Sequence, residues 1–444
     1  VAPAETTDQS YFDTLDGYSV LRYRGQKQED NKSDQDMFQY LNLSLGEAQK
    51  DRFTWYFFGS LTQDVDGSNA NTITKEKFKR LIFPRTPVEE NPEVSTSPFF
   101  SIDDSIEDDF IVRPYEFYTN VNDVPLFKNI RAGRQYIREV ENLHFDGIKL
   151  EFADFAGVRF TSFTGVPVHF FETSGSGDFI AGASAEFQPI KKTRLKLDYS
   201  FVNDNNSDIG GNDDNFFALS LRQNIKDWWN IFTNFSMVGQ TGRDTELRSN
   251  WVFPVLDMDF NISIFKQLST LEDFTIEFDD FNYITGDYFP YTQYSANIYK
   301  GIWDHFGIGI GLNLRELNET SNEGDFNHEF ENYYVTASSS DFLLKGMSIS
   351  VSSDLYYTDD DETRVLGFDV SQKIGEKLKV GAGSHYSLFK FDHLAESERD
   401  NVRTYFLNAK YKLTEKIGFD MDYEFERSNQ ESFHTVETAL KYSF

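Results

Sequence analysis

The sequence predicts an all-β protein: a transmembrane, antiparallel, up-and-down β-barrel of about 22 strands, within a range of roughly 16–22. Three observations support this fold class. Apolar residues occupy every second position of many short segments, and the connections between those segments alternate between short and long. No apolar run reaches the ~18 residues that a transmembrane helix needs, so a helical membrane protein is excluded.

The alternation is clearest near the end of the chain. Between Val436 and Phe444, mainly apolar even positions alternate with odd positions that include Glu437 and Lys441. In Ile417–Glu426, apolar residues alternate with mostly acidic ones. A period of two places the two sets on opposite faces of a strand. We therefore predict strands with apolar side chains toward lipid and polar side chains toward the barrel axis.

The connections predict which rim of the barrel is which. Short turns, such as Pro189–Lys192 and Trp303–His305, alternate with longer polar segments, such as Asn203–Asp214 and Asn318–Phe330. This pattern is typical of short periplasmic turns and long extracellular loops. Pro254 suggests a further tight turn, and Phe274–Thr285 is compatible with either loop or strand.

We predict two parts of the chain. Residues 1–18 form an N-terminal periplasmic segment, and residues 19–444 form one barrel with a long loop at 66–109. The opening residues Val1-Ala2-Pro3-Ala4 suggest a mature end left by removal of a signal peptide.

Composition narrows the function. The chain has 42 Lys and Arg, 73 Asp and Glu, and a formal net charge of −31, which opposes nucleic-acid binding as its main role. Its lack of cysteine excludes disulfides, thiolate metal sites and covalent haem attachment through CxxCH.

No catalytic motif stands out, so we expect a protein that is not an enzyme. The sequence has no GxSxG, HExxH or phosphate-loop pattern, and its seven histidines are dispersed. A Ser-His-Asp site assembled across strands stays open as an alternative. We expect no cofactor of its own. Asp64–Asn69 and Asp204–Asn215 are either flexible turns or Ca²⁺ loops, although neither completes an EF-hand.

Charged residues on the predicted inner face are the candidate pore lining. They either select solutes by electrostatics or form cross-strand ion pairs on a wet wall. The predicted set is Arg194, Lys196, Asp198, Arg315, Asp369, Lys410, Lys412, Asp420, Asp422, Glu424, Glu426 and Lys441. Lys149, Glu151, Arg222, Asp257, Asp259 and Asp354 are further predicted lumen positions.

Two more sets belong to the predicted barrel. A basic cluster in the long loop would form a constriction if the loop folds inward, or part of an exposed lid if it does not. It consists of Lys75, Lys77, Lys79, Arg80 and Arg85. An aromatic girdle would mark the membrane interface. We assign to it Trp55, Trp228, Trp229, Trp251, Trp303, Tyr442 and Phe444.

The last strand, Thr438–Phe444, resembles the C-terminal signature of Gram-negative outer-membrane proteins, with alternating apolar residues and a terminal aromatic. The resemblance implies recognition by the barrel-assembly machinery and a location in the outer membrane. Ile130–Gln135, followed by Phe145-Asp146-Gly147, is similar to a pattern of porins and alginate-export-type barrels. Leu21–Arg24 and Asp36–Leu41 resemble the opening hairpin of barrels in porin–cytochrome conduits.

Two functions follow as hypotheses. The first is a porin-like channel for small polar or ionic solutes. The alternative is a sheath around a multihaem cytochrome, in which any haem would belong to the partner. Inward glycines at Gly307, Gly309, Gly311, Gly381 and Gly383 would admit a closely packed partner, or would instead relieve crowding within the wall.

Overall fold

The computed structural model shows one continuous antiparallel sheet of 22 strands. Some of the chain is not described in it. The described residues are 14–28, 33–47, 50–65, 110–137, 140, 143–168, 178–203, 213–269, 290–318, 328–358, 362–392, 397–429 and 432–444. Among these residues, no helix is long and apolar enough to cross a bilayer.

The strands follow one another around the ring in sequence order. They are β1 Leu15–Gln28, β2 Ser33–Leu45, β3 Phe53–Asp64, β4 Phe110–Val124, β5 Phe127–Ile137, β6 Leu143–Phe152, β7 Val158–Pro167, β8 Phe179–Phe187, β9 Thr193–Asn203, β10 Asp213–Lys226, β11 Trp229–Val238, β12 Thr241–Phe253, β13 Met258–Gln267, β14 Tyr291–Ile302, β15 Phe306–Leu317, β16 Phe330–Ser340, β17 Met347–Tyr357, β18 Glu362–Ile374, β19 Leu378–Asp392, β20 Ser397–Lys412, β21 Ile417–Arg427 and β22 Ser432–Ser443.

The first and last strands close the ring. β1 pairs with β22 antiparallel, from Tyr18 opposite Ser443 to Gln28 opposite Phe433. Every other strand pairs with its sequence neighbours. Closure leaves no unpaired edge, which is the condition for a sheet to span a membrane. The predicted fold class, a closed up-and-down antiparallel barrel of about 22 strands, is confirmed.

The two rims differ as the connection pattern predicts. One rim carries only short connections, of which residues 46–52 are the longest, and we call it the short-turn rim. The opposite rim carries the connections at 65–109, 268–290 and 318–329, and we call it the long-connection rim. A tight hairpin at Gly239–Gln240 on the long-connection rim was not predicted.

The sequence left the structure of two segments uncertain, and only one of them lies within the described residues. Pro254–Leu256 forms a single 3₁₀ turn between β12 and β13, which confirms the tight turn at Pro254. It ends at Asp257 in the left-handed conformation, with a φ of 47°. The segment Phe274–Thr285 lies outside the described residues. β1 begins at Leu15, so its first residues fall within the segment 1–18 that we predicted to precede the barrel.

Alternation gives the sheet two distinct faces. One face exposes large apolar side chains such as Leu366 and Leu407, which are 67% and 57% exposed in the isolated chain. The other carries polar residues such as Asp36 and Ser200, which are fully buried. Exposed apolar area on this scale needs lipid rather than water around it. We therefore take the apolar face as the outside of the barrel.

Part of the inner face contradicts the simple rule of apolar outside and polar inside. On β5–β11, toward the long-connection rim, a cluster of apolar side chains points inward and is almost fully buried. Its members are Ile137, Val140, Leu143, Phe145, Phe163, Ile180, Val202, Phe216, Ala218 and Val238. Phe145 and Phe163 pack with their ring centroids 5.4 Å apart. The interior of this barrel is therefore partly a packed core.

Candidate functional site

All twelve predicted pore-lining residues lie on the inner face, as strand register and alternation show. On β20 and β21, Lys410 is opposite Asp420, and Lys412 is opposite Gly418. Lys441 follows on β22. Arg315 lies on β15, opposite Gln293. Placement on the inner wall does not by itself show that these residues select solutes.

The acidic residues of β21 divide into two kinds. Glu426 is nearly buried and pairs with Lys390 and with Arg399, whose Nη2 lies 3.0 Å from a Glu426 carboxylate oxygen. In the described part of the chain, Asp422 and Glu424 form no ion pair. Of the two sequence interpretations, cross-strand pairing therefore fits Glu426, whereas its neighbours remain open to the lumen.

Asp420 and Asp422 lie directly opposite Ala439 and Glu437 of β22. Neither Asp420 nor Glu437 has an ion-pair partner among the described residues. We call Asp420, Asp422, Glu424 and Glu437 the acidic wall. Like charges directly across a strand pair repel one another, as Asp422 and Glu437 do. Lys410 opposite Asp420 and Arg24 opposite Glu437 bring positive charge to the same part of the wall.

Three arginines and a phenylalanine lie side by side across the inner face of β9–β12. Arg194 lies directly opposite Arg222, Arg222 opposite Phe232, and Phe232 opposite Arg248. Both Arg222 and Arg248 lie near the Phe232 ring, with guanidinium carbons 6.0 and 5.6 Å from its centroid. We call these four residues the arginine row.

The arginine row lines a pocket of about 510 Å³ near the short-turn rim. Lys192, Asn224, Asn230 and Asn250 also line it, and none of its lining residues is acidic. The acidic residues that pair with its arginines and its lysine lie beside the pocket. Arg194 Nε lies 3.3 Å from a Glu186 oxygen, and Arg248 Nη2 donates a 2.9 Å hydrogen bond to Glu246. Lys192 pairs with Asp227 in the adjoining turn.

The ion pair between Lys192 and Asp227 lies in turns outside the membrane-spanning strands and shifts the pKa of Asp227. The hydrogen bond and charge of Lys192 lower the pKa of the Asp227 carboxyl. Asp227 is 92% exposed, so solvent screens this ion pair at the edge of the pocket.

Stacking of cations on aromatic rings recurs around the inner wall, and sequence analysis did not find it. The Arg315 guanidinium carbon lies 3.8 Å from the Tyr291 ring centroid, and that of Arg131 lies 4.0 Å from Tyr118. Such contacts help to hold a guanidinium against the wall. The only hint in the sequence is its high content of aromatic residues, 45 Phe and 23 Tyr. Which arginine meets which ring depends on the register between strands.

Side chains of neighbouring strands fill the space beside the inward glycines. A Cβ atom at Gly307 would lie 2.0 Å from the Tyr299 hydroxyl oxygen, and one at Gly311 would lie 2.3 Å from Tyr334 Cζ. The Phe406 ring covers Gly383 in the same way. These glycines make room for rings that lie flat on the wall, which is the crowding interpretation.

The predicted aromatic girdle gathers along the short-turn rim, on the outer side. Trp229, Trp251 and Phe260 form a stack, with centroid separations of 6.0 and 4.9 Å. Trp303 is 81% exposed in the turn after β14, and Tyr442 contacts Phe444 at the end of the chain. Trp55 is near the start of β3 and Trp228 is in the turn before β11. Amphipathic rings at one level suit a membrane–water interface.

Other predicted features cannot be placed. The basic loop residues Lys75, Lys77, Lys79, Arg80 and Arg85 lie outside the described residues. So do most of the two predicted Ca²⁺ segments. In the described ranges, no three His, Asp or Glu side chains are grouped as metal ligands.

The arginine row and the acidic wall face one another. The row is centred on β10 and β11, and the acidic wall lies on β21 and β22, half a ring away in the closed order of 22 strands.

Comparison with known proteins finds structures with a similar fold but assigns the chain to no family. No family model and no curated protein matches the sequence. The P pilus usher (PapC) translocation pore is similar in structure, with a TM-score of 0.52 and 6% identity, over 97% of this chain and 99% of that one. At such identity the likeness shows a shared barrel fold.

Two smaller likenesses were also found. OccAB3 of Acinetobacter baumannii has a TM-score of 0.44 and 10% identity, over 97% of this chain and 99% of that one. The outer membrane protein OpdK of Pseudomonas aeruginosa has a TM-score of 0.40 and 10% identity, over 97% and 99%.

Proposed function

We propose that the chain is an outer-membrane channel of a Gram-negative bacterium that passes small polar or ionic solutes through a charged lumen. The observation that carries the proposal is a closed ring of 22 strands with ionisable residues inside and large apolar side chains outside. Such a ring is wider than the roughly eight-stranded barrels that side chains alone can fill.

The inner wall supports passage of polar solutes. Asp422 and Glu424 lack ion-pair partners in the described part of the chain, so their charge acts on whatever enters. The interfacial aromatics and the C-terminal strand support the proposed location and assembly route.

Conductance of the purified chain in a planar bilayer tests the proposal. We expect open, ion-conducting steps without any added subunit. The absence of cysteine allows a sharper test, because one introduced thiol becomes a unique label. Ser350 lies on the inner face of β17 and Val351 on the outer face. Labelling Ser350→Cys with a charged, water-soluble thiol reagent should reduce the conductance.

Val351→Cys is the matched control, one residue away and facing lipid. The same reagent should leave its conductance unchanged. A folded, inserted chain that does not conduct would contradict the channel, as would an equal response of the two variants. No contact in the described part of the chain favours the cytochrome sheath, since rings of the wall itself cover Gly307 and Gly311. A haem-containing subunit that co-purifies with a non-conducting barrel would support it instead.

A further inference from the structure

We propose that the pocket of the arginine row is a binding site for the carboxylate group of a small monoanionic solute, held by Arg222. This inference rests on the proposed channel function and names the class of solute that pauses on the basic side of the lumen. The site lies on the inner face of β9–β12, near the short-turn rim.

The charge balance of the pocket leaves one cation over. Glu186 pairs with both Arg194 and Arg159, and Arg159 also has Asp154 at 4.0 Å. Arg248 is matched by Glu246, and Lys192 by Asp227. Arg222 has no carboxylate partner among the described residues, and its only described contact is the Phe232 ring at 6.0 Å. One unmatched guanidinium calls for one negative charge. A monocarboxylate supplies it, whereas a doubly charged phosphate exceeds it.

The placement of Arg222 points to a bound anion. Arg222 and Arg194 are directly opposite each other on neighbouring strands, an arrangement in which two like charges destabilise the pair. Glu186 relieves Arg194 from the side facing away from Arg222 along the sheet. An anion on Arg222 would remove the remaining repulsion and would meet an exposed guanidinium.

Hydrogen-bond donors complete the pocket. Asn250 Nδ2 donates to Asn230 Oδ1 at 3.1 Å, which leaves the Asn230 amide nitrogen as a donor. Asn224, two residues after Arg222 and on the same face, also lines the pocket. A guanidinium fork binds both oxygens of a planar carboxylate, and neighbouring amides add donors around them. The Phe232 ring borders the fork on one side, with its centroid 6.0 Å from the guanidinium carbon.

Binding and conduction are measured separately, so that the two proposals can fail separately. The probe is [¹³C]acetate added to the detergent-solubilised barrel, with line broadening as the readout of binding. We expect Arg222→Gln to weaken acetate binding by about tenfold or more, as expected for loss of a charge-assisted contact. Arg222→Lys should weaken it less, because it keeps the charge but loses the bidentate fork.

Lys410→Gln is the matched control, because it removes one positive charge from the inner face of β20, outside the pocket. It should leave acetate binding unchanged. Equal losses in Arg222→Gln and Lys410→Gln would reduce the effect to overall charge and would overturn the inference. Inorganic phosphate that binds as tightly as acetate, and as dependently on Arg222, would overturn the assignment to monocarboxylates.

The conductance assay then separates the outcomes. A barrel that binds acetate through Arg222 but does not conduct contradicts the channel and leaves the anion site in place. A conducting barrel with no acetate binding that depends on Arg222 contradicts the anion site alone.

Discussion

The two sides of the lumen use ionisable residues differently. On β9–β12, arginines are held by aromatic stacking and by acids beside them, and one guanidinium is left unmatched. On β21 and β22, carboxylates face the lumen with no cation within ion-pair distance in the described ranges, except at Glu426. The difference shows that inward placement alone does not decide whether a charge stabilises the wall or acts on solutes. What decides it is whether an oppositely charged side chain reaches the residue from the same or a nearby strand, as Lys390 of β19 and Arg399 of β20 reach Glu426.

The largest expected effect concerns the packed part of the wall above the arginine row. Phe145→Ala should destabilise the barrel by about 3–5 kcal/mol, because it leaves a cavity in a fully buried apolar cluster. The measurement is urea unfolding in micelles, followed by tryptophan fluorescence. Phe155→Ala, at a residue 81% exposed in a turn, is the control and should cost little. Similar losses in the two variants would show that the cluster contributes no packing.

A second prediction separates the two kinds of acid on β21. Glu426→Gln should lower stability by about 3–5 kcal/mol, because it leaves the largely buried Arg399 without its carboxylate partner. Glu424→Gln changes the same residue type on the same face, two positions away, and should have almost no effect. Chemical unfolding of both variants checks this. If Glu424→Gln were the more damaging, the division of the acidic residues would be wrong.

The glycines of β15 give a smaller effect. Gly311→Ala should cost about 1–3 kcal/mol, because the added methyl collides with the Tyr334 ring. Gly418→Ala meets nothing within 4 Å and serves as the control. Thermal unfolding of the two variants measures the difference. A tolerated Gly311→Ala would mean that the Tyr334 ring does not rest on the wall at that position.

Much of this fold follows from local sequence. Strict alternation in Ile417–Glu426 decides both the strand and its faces, because a period of two has one structural meaning. The short turns and Pro254 are likewise local, so the rims could be predicted. The same alternation was enough to predict that Arg194 and Asp420 lie on the inner face.

What could not be predicted depends on partners distant in sequence. The pairing of Arg222 with Phe232 and of Glu426 with Arg399 requires the register between strands. The position of the arginine row opposite the acidic wall requires the closed strand number, which alternation does not give. The inward cluster around Phe145 was missed because its alternation is the same as that of an outward apolar set.

The measurement that tests the account most directly is the zero-current potential of the channel in a KCl gradient. One variant neutralises the basic side, with Arg194→Gln, Arg222→Gln and Arg248→Gln. The other neutralises the acidic side, with Asp420→Asn, Asp422→Asn and Glu424→Gln. A unit charge about 10 Å from the solute path changes an ion's energy by roughly 0.4–1.7 kcal/mol, so each variant should change the cation-to-anion permeability ratio about twofold to tenfold or more. The account predicts shifts in opposite directions, toward cations for the first variant and toward anions for the second. Shifts in the same direction, or no shift in either, would contradict a lumen between two oppositely charged walls.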